Sequence, residues 1–96
     1  MNVRLDSGAC LPERKTAGAA GYDLSALEGG EVEPGKVAKV RTGVYAAIPD
    51  GLFGAIKGRS GLATSGILAF EGTIDSDYRG EICVLLYNTR KEEVFS

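Results

Sequence analysis

Glycine interrupts this 96-residue chain fourteen times, and three prolines stand among the glycines. Few intervals between them can hold a stable helix, because each glycine in a helix interior costs about 1 kcal/mol. What lies between the punctuation reads as strands. In Val37–Val44, Ala38, Val40, Thr42 and Val44 share one face while Lys39 and Arg41 point the other way, the period of a half-buried strand. Glu33-Pro34-Gly35-Lys36 before it and Pro49-Asp50-Gly51 after it read as tight turns. The second turn predicts a strand over Leu52–Ile56, paired to the first. Ile82–Tyr87 is apolar without alternation, which predicts a strand covered on both faces, inside a sandwich or against a neighbouring subunit. Shorter candidates are Asn2–Leu5, Tyr22–Leu27, Ile67–Phe70 and Val94-Phe95. Short strands spaced by turns predict one all-β domain over residues 1–96, a sandwich or barrel.

A chain this short has a modest core, so oligomerisation is a natural supplement. Tyr22, Phe53, Phe70 and Phe95 are expected in that core. Asp6, Glu13, Glu28, Glu31, Glu92 and Glu93 are expected on a solvated surface. Lys91–Ser96 reads as a turn and the opening of a further strand, so the fold is expected to be unfinished here or completed by a partner.

Composition removes whole classes of function. The net charge is −2, and the eleven basic residues are scattered, so the electrostatic footprint of nucleic-acid binding is missing. No apolar run reaches the ~18–20 residues of a membrane span. The opening Met1-Asn2-Val3-Arg4 lacks an apolar signal core, which predicts a cytoplasmic protein. Cys10 and Cys83 are too few for a disulfide framework, although one bridge stays open. With no histidine in the chain, His-based triads and most zinc sites are excluded. Catalysis must run on carboxylates, hydroxyls, Lys or Arg, or a metal held by oxygen.

Three stretches could carry it. In Gly58-Arg59-Ser60-Gly61-Leu62-Ala63-Thr64-Ser65-Gly66, glycines flank an arginine and a hydroxyl, so backbone amides and side-chain donors can converge on a phosphate oxyanion. The same residues also describe an ordinary turn with an exposed arginine. In Gly72-Thr73-Ile74-Asp75-Ser76-Asp77-Tyr78-Arg79-Gly80, one carboxylate can accept a proton from water while the other pairs with an arginine or a metal-bound water. Tyr78 offers a flat face and Arg79 a fixed charge. The plain alternative is an Asx turn with Arg79 as its surface partner. In Ala17-Gly18-Ala19-Ala20-Gly21-Tyr22-Asp23-Leu24-Ser25-Ala26, small residues precede an aspartate able to reach a metal's water shell, or else form a bend packed under a sheet.

In this order and spacing the three stretches resemble the first, second and third motifs of the trimeric dUTPases, over about Val3 to Asn88. The resemblance implies a jelly-roll β fold, a homotrimer with sites at subunit interfaces, and Mg²⁺-assisted hydrolysis of dUTP to dUMP and pyrophosphate. It implies that Asp75 deprotonates the attacking water and that Gly72, Thr73 and Ile74 belong to the hairpin that reads uracil. Tyr78 matches the aromatic under the deoxyribose, where a 2′-hydroxyl would clash. Arg59, Ser60 and Gly61 match phosphate contacts, and Asp23 the acid near the metal's water ligands.

Gly58 stands where the second motif usually has proline, and Ala69 where many members carry an asparagine that helps bind uracil. The sequence reaches Ser96 before the fourth motif and the Gly-rich fifth, which implies slow turnover without the closing arm. The alternative from another class is a nucleotide-binding protein without turnover. The intact Asp75 argues for the enzyme, and Arg59–Ala63 argues against the related dCTP deaminase branch.

Overall fold

The computed structural model describes residues 2–95. Six strands and one short helix follow one another: β1 (Asn2–Leu5), β2 (Val37–Ala47), β3 (Gly54–Ile56), α1 (Ser60–Thr64), β4 (Ile67–Ala69), β5 (Gly72–Ile74) and β6 (Ile82–Asn88). An antiparallel four-stranded sheet runs β1-β2-β6-β4, and β3 pairs with β5 in a second, two-stranded sheet. Val44, Ile74 and Ile82 form the core between them, with Leu24, Ala46, Ile48 and Ile56 packed against it.

The long strand β2 alternates as its sequence dictates, with Val37, Lys39 and Arg41 exposed and Thr42 and Val44 buried. Both expected turns close, through Lys36 N–H to Glu33 O at 3.1 Å and Leu52 N–H to Pro49 O at 3.1 Å. The β2–β6 ladder is interrupted once. Arg41 faces Cys83 but Val44 faces Ile82, so Thr42 and Gly43 form a bulge. Gly43 sits at φ 68°, where a Cβ would stand 2.8 Å from that of Ala9, so only glycine fits. The Thr42 hydroxyl and both main-chain groups of Gly43 find partners at the bulge. Thr42 Oγ1 donates to Ile82 O at 2.6 Å and accepts from Val44 N–H at 3.1 Å. Gly43 N–H donates to Glu81 Oε2 at 2.8 Å, while Gly43 O accepts from Asp6 N–H at 2.8 Å.

Several expectations are corrected. The strand after Pro49–Gly51 begins at Gly54 and pairs with β5, not β2, because β1 and β6 already occupy both edges of β2. Residues 22–27 form no strand; they contribute a single bridge from Asp23 to Glu13 and one bond from Leu27 N–H to Arg41 O. Within this chain β6 is not covered on both faces, since Leu85 is 43% exposed, which leaves a neighbouring subunit as the other expected cover. Tyr22, Phe53 and Phe70 are exposed and Phe95 is half-buried, for the core is built from Val and Ile on the strands while these rings sit in loops and at strand ends. Asp6 is not a free surface carboxylate: it accepts from Arg41 and from the Tyr45 hydroxyl. Val94-Phe95 makes only a bridge, Phe95 to Val32. Asn88, fully buried, ties that tail down, its amide donating to Val32 O at 2.9 Å and Glu93 O at 2.8 Å.

Candidate functional site

The third stretch becomes a short strand and a turn. Thr73 and Ile74 pair with Ala55 and Gly54 in the short β3–β5 ladder. At Asp75 the ladder stops and the chain turns, closed by Tyr78 N–H to Asp75 O at 3.0 Å. Asp75 stands exposed at the exit of β5, with its neighbour Ile74 buried beneath it. Arg79 does not pair with Asp75 or Asp77. Its Nη1 donates to Ser76 O at 2.7 Å and Tyr78 O at 3.0 Å, so it braces the turn from within. A cleft of about 260 Å³ opens beside it, lined by Ile56, Gly72, Thr73, Ile74, Tyr78 and Glu81 among others.

The second stretch is a single helical turn, not the loop that its glycines suggest. Arg59 holds the extended N-cap position, and Ala63 N–H bonds back to Arg59 O. The hydroxyls of Thr64 and Ser65 return to Ser60 O and Gly61 O. Arg59, Ser60 and Gly61 are all exposed, and first-turn amides of a helix have no intrahelical acceptor. The first stretch lies on the surface rather than under a sheet, since Ala17, Gly18, Ala20, Gly21 and Tyr22 are exposed. Asp23 N–H is held by Glu13 O at 2.7 Å. Its carboxylate is half-sheltered, and Oδ2 is buried without a hydrogen-bond partner.

Folding brings Asp23 and Arg59 together. They line one cleft of about 310 Å³, along with Tyr22, Gly58, Leu62 and Ala69. Gly72, Thr73, Ile74 and Tyr78 line the other, and Ile56 forms a wall of both. Asp75, Ser60 and Gly61 line neither, standing exposed on the surface. Gly58 and Ala69, the two positions that depart from the motif pattern, lie back to back: a Cβ on Gly58 would meet that of Ala69 at 3.4 Å. A larger hollow of about 460 Å³ near Val32 and Phe95 holds none of these candidates.

The sequence reading missed Glu81, Arg41 and Gly80. Glu81 receives Arg41 Nε at 2.9 and 3.1 Å besides the Gly43 amide. The Arg41 bond, more than the amide, holds the Glu81 carboxyl below its usual range, against the opposing pull of burial. The same partner raises the Arg41 guanidinium further. Burial, then the Asp6 carboxylate, pushes the neighbouring Tyr45 phenol up. The pair is separated by forty residues of chain, so no local pattern announces it.

With this geometry in place, the comparisons with known proteins are direct. The dUTPase family model matches residues 8–95, and the chain belongs to the dUTPase family. It is 52% identical over 89 residues to the deoxyuridine 5′-triphosphate nucleotidohydrolases of Mycobacterium tuberculosis and Mycobacterium avium, covering 90% of this chain and 58% of each relative. The chain thus spans 58% of the length of these curated relatives. Among solved structures, the dUTPase of phage phi11 of S. aureus superposes with a TM-score of 0.89 at 33% identity, over 94% of this chain and 60% of that one. A mutant of the phi11 enzyme, described for its coordination of a structural Mg(II) ion, gives 0.87 over 92% and 59%. A mutant dUTPase of Staphylococcus bacteriophage 80alpha with dUpNHpp gives 0.89 at 32% identity, over 94% and 54%. The all-β expectation is borne out as the dUTPase fold.

Proposed function

We propose that this chain forms the nucleotide-binding body of a dUTP nucleotidohydrolase, in which water attacks the α-phosphorus of dUTP and pyrophosphate leaves. The observation that carries the reading is the exposed Asp75 carboxylate at the exit of β5, one residue beyond a ladder whose backbone and Tyr78 line the adjoining cleft. Ladder backbone beside Tyr78 suits a base and its sugar. Main-chain donors and acceptors reject cytosine because its exchanged groups would leave partners unpaired, at about 1–3 kcal/mol each. The Tyr78 ring lies under the deoxyribose. Asp75 takes the proton from water as its oxygen bonds to phosphorus, and the electron pair of the broken P–O bond leaves on pyrophosphate.

Arg59, with the amides and hydroxyl of Ser60 and Gly61, supplies donors for the phosphate oxygens. Asp23 suits the outer water shell of a magnesium ion carried by the triphosphate, because its buried Oδ2 lacks any other partner. When bound, that ion neutralises phosphate charge and polarises the reacting phosphoryl group. The substrate and metal assignments draw on the dUpNHpp and Mg(II) named for phage relatives.

The proposed assembly is a homotrimer, each cleft completed by a neighbouring subunit. Exposed Leu52, Phe53, Leu68 and Phe70 supply apolar surface of the kind that subunits cover. Among the described residues no helix is long and apolar enough to cross a membrane. A free nucleotide as substrate puts the proposed reaction in the cytoplasm.

Pyrophosphate release from dUTP with Mg²⁺, against dCTP, dTTP and UTP, tests the reading. Release confined to dUTP and lost in Asp75→Asn supports it. A folded chain that neither binds nor cleaves dUTP in preference to the others overturns it.

A further inference from the structure

We infer that Gly80 and the main chain of Glu81 are positioning residues that set sugar selectivity by fixing the Tyr78 ring; the inference rests on the proposed placing of deoxyribose against that ring. Tyr78 is 43% exposed, and an exposed ring ordinarily turns aside when crowded. This one is held at both ends. Its amide donates to Asp75 O at 3.0 Å, and Arg79 clasps its carbonyl. At the far end its hydroxyl donates to Glu81 O at 2.7 Å. Between the two, the ring lies against Gly80 with no room for a side chain. A Cβ there would stand 2.6 Å from the Tyr78 oxygen and 2.7 Å from Cζ.

The acceptor is itself immobilised. Glu81 is pinned by Arg41 at 2.9 Å and by the Gly43 amide of the β2 bulge at 2.8 Å. A path of contacts thus runs from the bulge through Glu81 to the ring. Rejecting one added hydroxyl needs a wall that does not yield, since a soft apolar pocket rejects an added hydroxyl only about 100-fold. Any side chain at position 80 must displace the far end of Tyr78 and not the backbone, so the fold survives while the wall moves.

Calorimetry with dUMP and UMP reads the consequence, and proton NMR of the free chain reads the cause. In the native chain the Gly80 α-protons lie under the ring and shift upfield; Tyr78→Phe, which keeps the ring but loses the anchor, relaxes them. Gly80→Ala, with a native circular dichroism spectrum, lowers the dUMP-over-UMP preference about 10–100-fold, up to the loss that a misplacement of about 1 Å brings to a positioned group. Gly30→Ala, where a Cβ meets nothing within 4 Å, leaves the preference unchanged. A folded Gly80→Ala chain with the native preference overturns the inference. Unshifted Gly80 protons in the native chain overturn it too. Shifted protons in a chain that fails to prefer dUMP refute the deoxyribose site itself, and selectivity by this ring falls with it.

Discussion

The two clefts share Ile56 as a wall and are built on opposite physical plans. Around Tyr78 the polar groups are already spoken for: the bulge amide by Glu81, the Glu81 carboxylate by Arg41, the Tyr78 hydroxyl by the Glu81 carbonyl. Around Asp23 and Arg59 they are not. Asp23 keeps a buried oxygen without a partner, Arg59 is exposed, and a Cβ on Gly18, Gly21 or Gly61 would meet nothing within 4 Å. A group that must judge shape gains from being fixed before the ligand arrives, because the ordering cost is met in folding. Groups proposed to answer a triphosphate and its metal can wait, since the phosphate charge would partner Arg59 and the metal's water shell would partner Asp23.

The comparison breaks most visibly at Asp75, the proposed general base, which stands exposed at the exit of β5 beside the fixed cleft. Asp75→Asn should lower dUTP turnover by about 10²–10⁴-fold while leaving dUMP affinity near native, the range for loss of a general base. A variant losing binding in proportion would instead make Asp75 part of the fixed wall. Arg59→Ala tests the other cleft. It should weaken triphosphate binding by about tenfold or more, spare dUMP affinity comparatively, and flatten the salt dependence measured by titration.

Asn88 shows what fixing is worth, since its amide holds two carbonyls and its Oδ1 accepts from Arg90 N–H at 3.0 Å. Asn88→Ala should cost about 2–4 kcal/mol in urea unfolding, because buried carbonyls lose their donors. Asp23→Asn should separate stability from function. The thermal midpoint should stay near native, as the isosteric amide breaks no hydrogen bond of the buried Oδ2, while the Mg²⁺ needed for half-maximal dUTP turnover rises several-fold. A marked fall in the midpoint would mean that Asp23 belongs to the fixed part.

The smallest effect is in acid. Glu81 is held below its ordinary range, so its contribution to stability is complete above the unfolded-state value of about 4.5 and is lost as pH falls through the lower folded value. Glu81→Gln should remove that segment of the pH–stability curve and leave the curve near neutrality parallel to native.

Much of the frame was legible in the residues. The alternation of Val37–Val44 became β2, the two Pro-Gly turns closed as expected, and the three stretches stood in motif order. What misled was also local. The apolar Leu52-Phe53 pair reads as the start of a strand beside β2, and its one aromatic ring reads as core. Nothing in those residues reveals that β1 and β6 have taken both edges of β2, or that the space between the sheets is filled by Ile74, Ile82 and Val44.

Short-range chemistry decided the rest of what sequence alone could decide: where glycine and proline must bend the chain, which faces of a strand are apolar, and which side chains can deprotonate water or grip phosphate. Those properties depend on neighbours within a few residues and are written in order. Tertiary structure alone decided that a bulge at Gly43 would hold Glu81, that Glu81 would hold Tyr78, and that Asp23 would meet Arg59 across one cleft. Each joins positions tens of residues apart, and such contacts exist only once the closing of long loops has been outweighed by burial of the core.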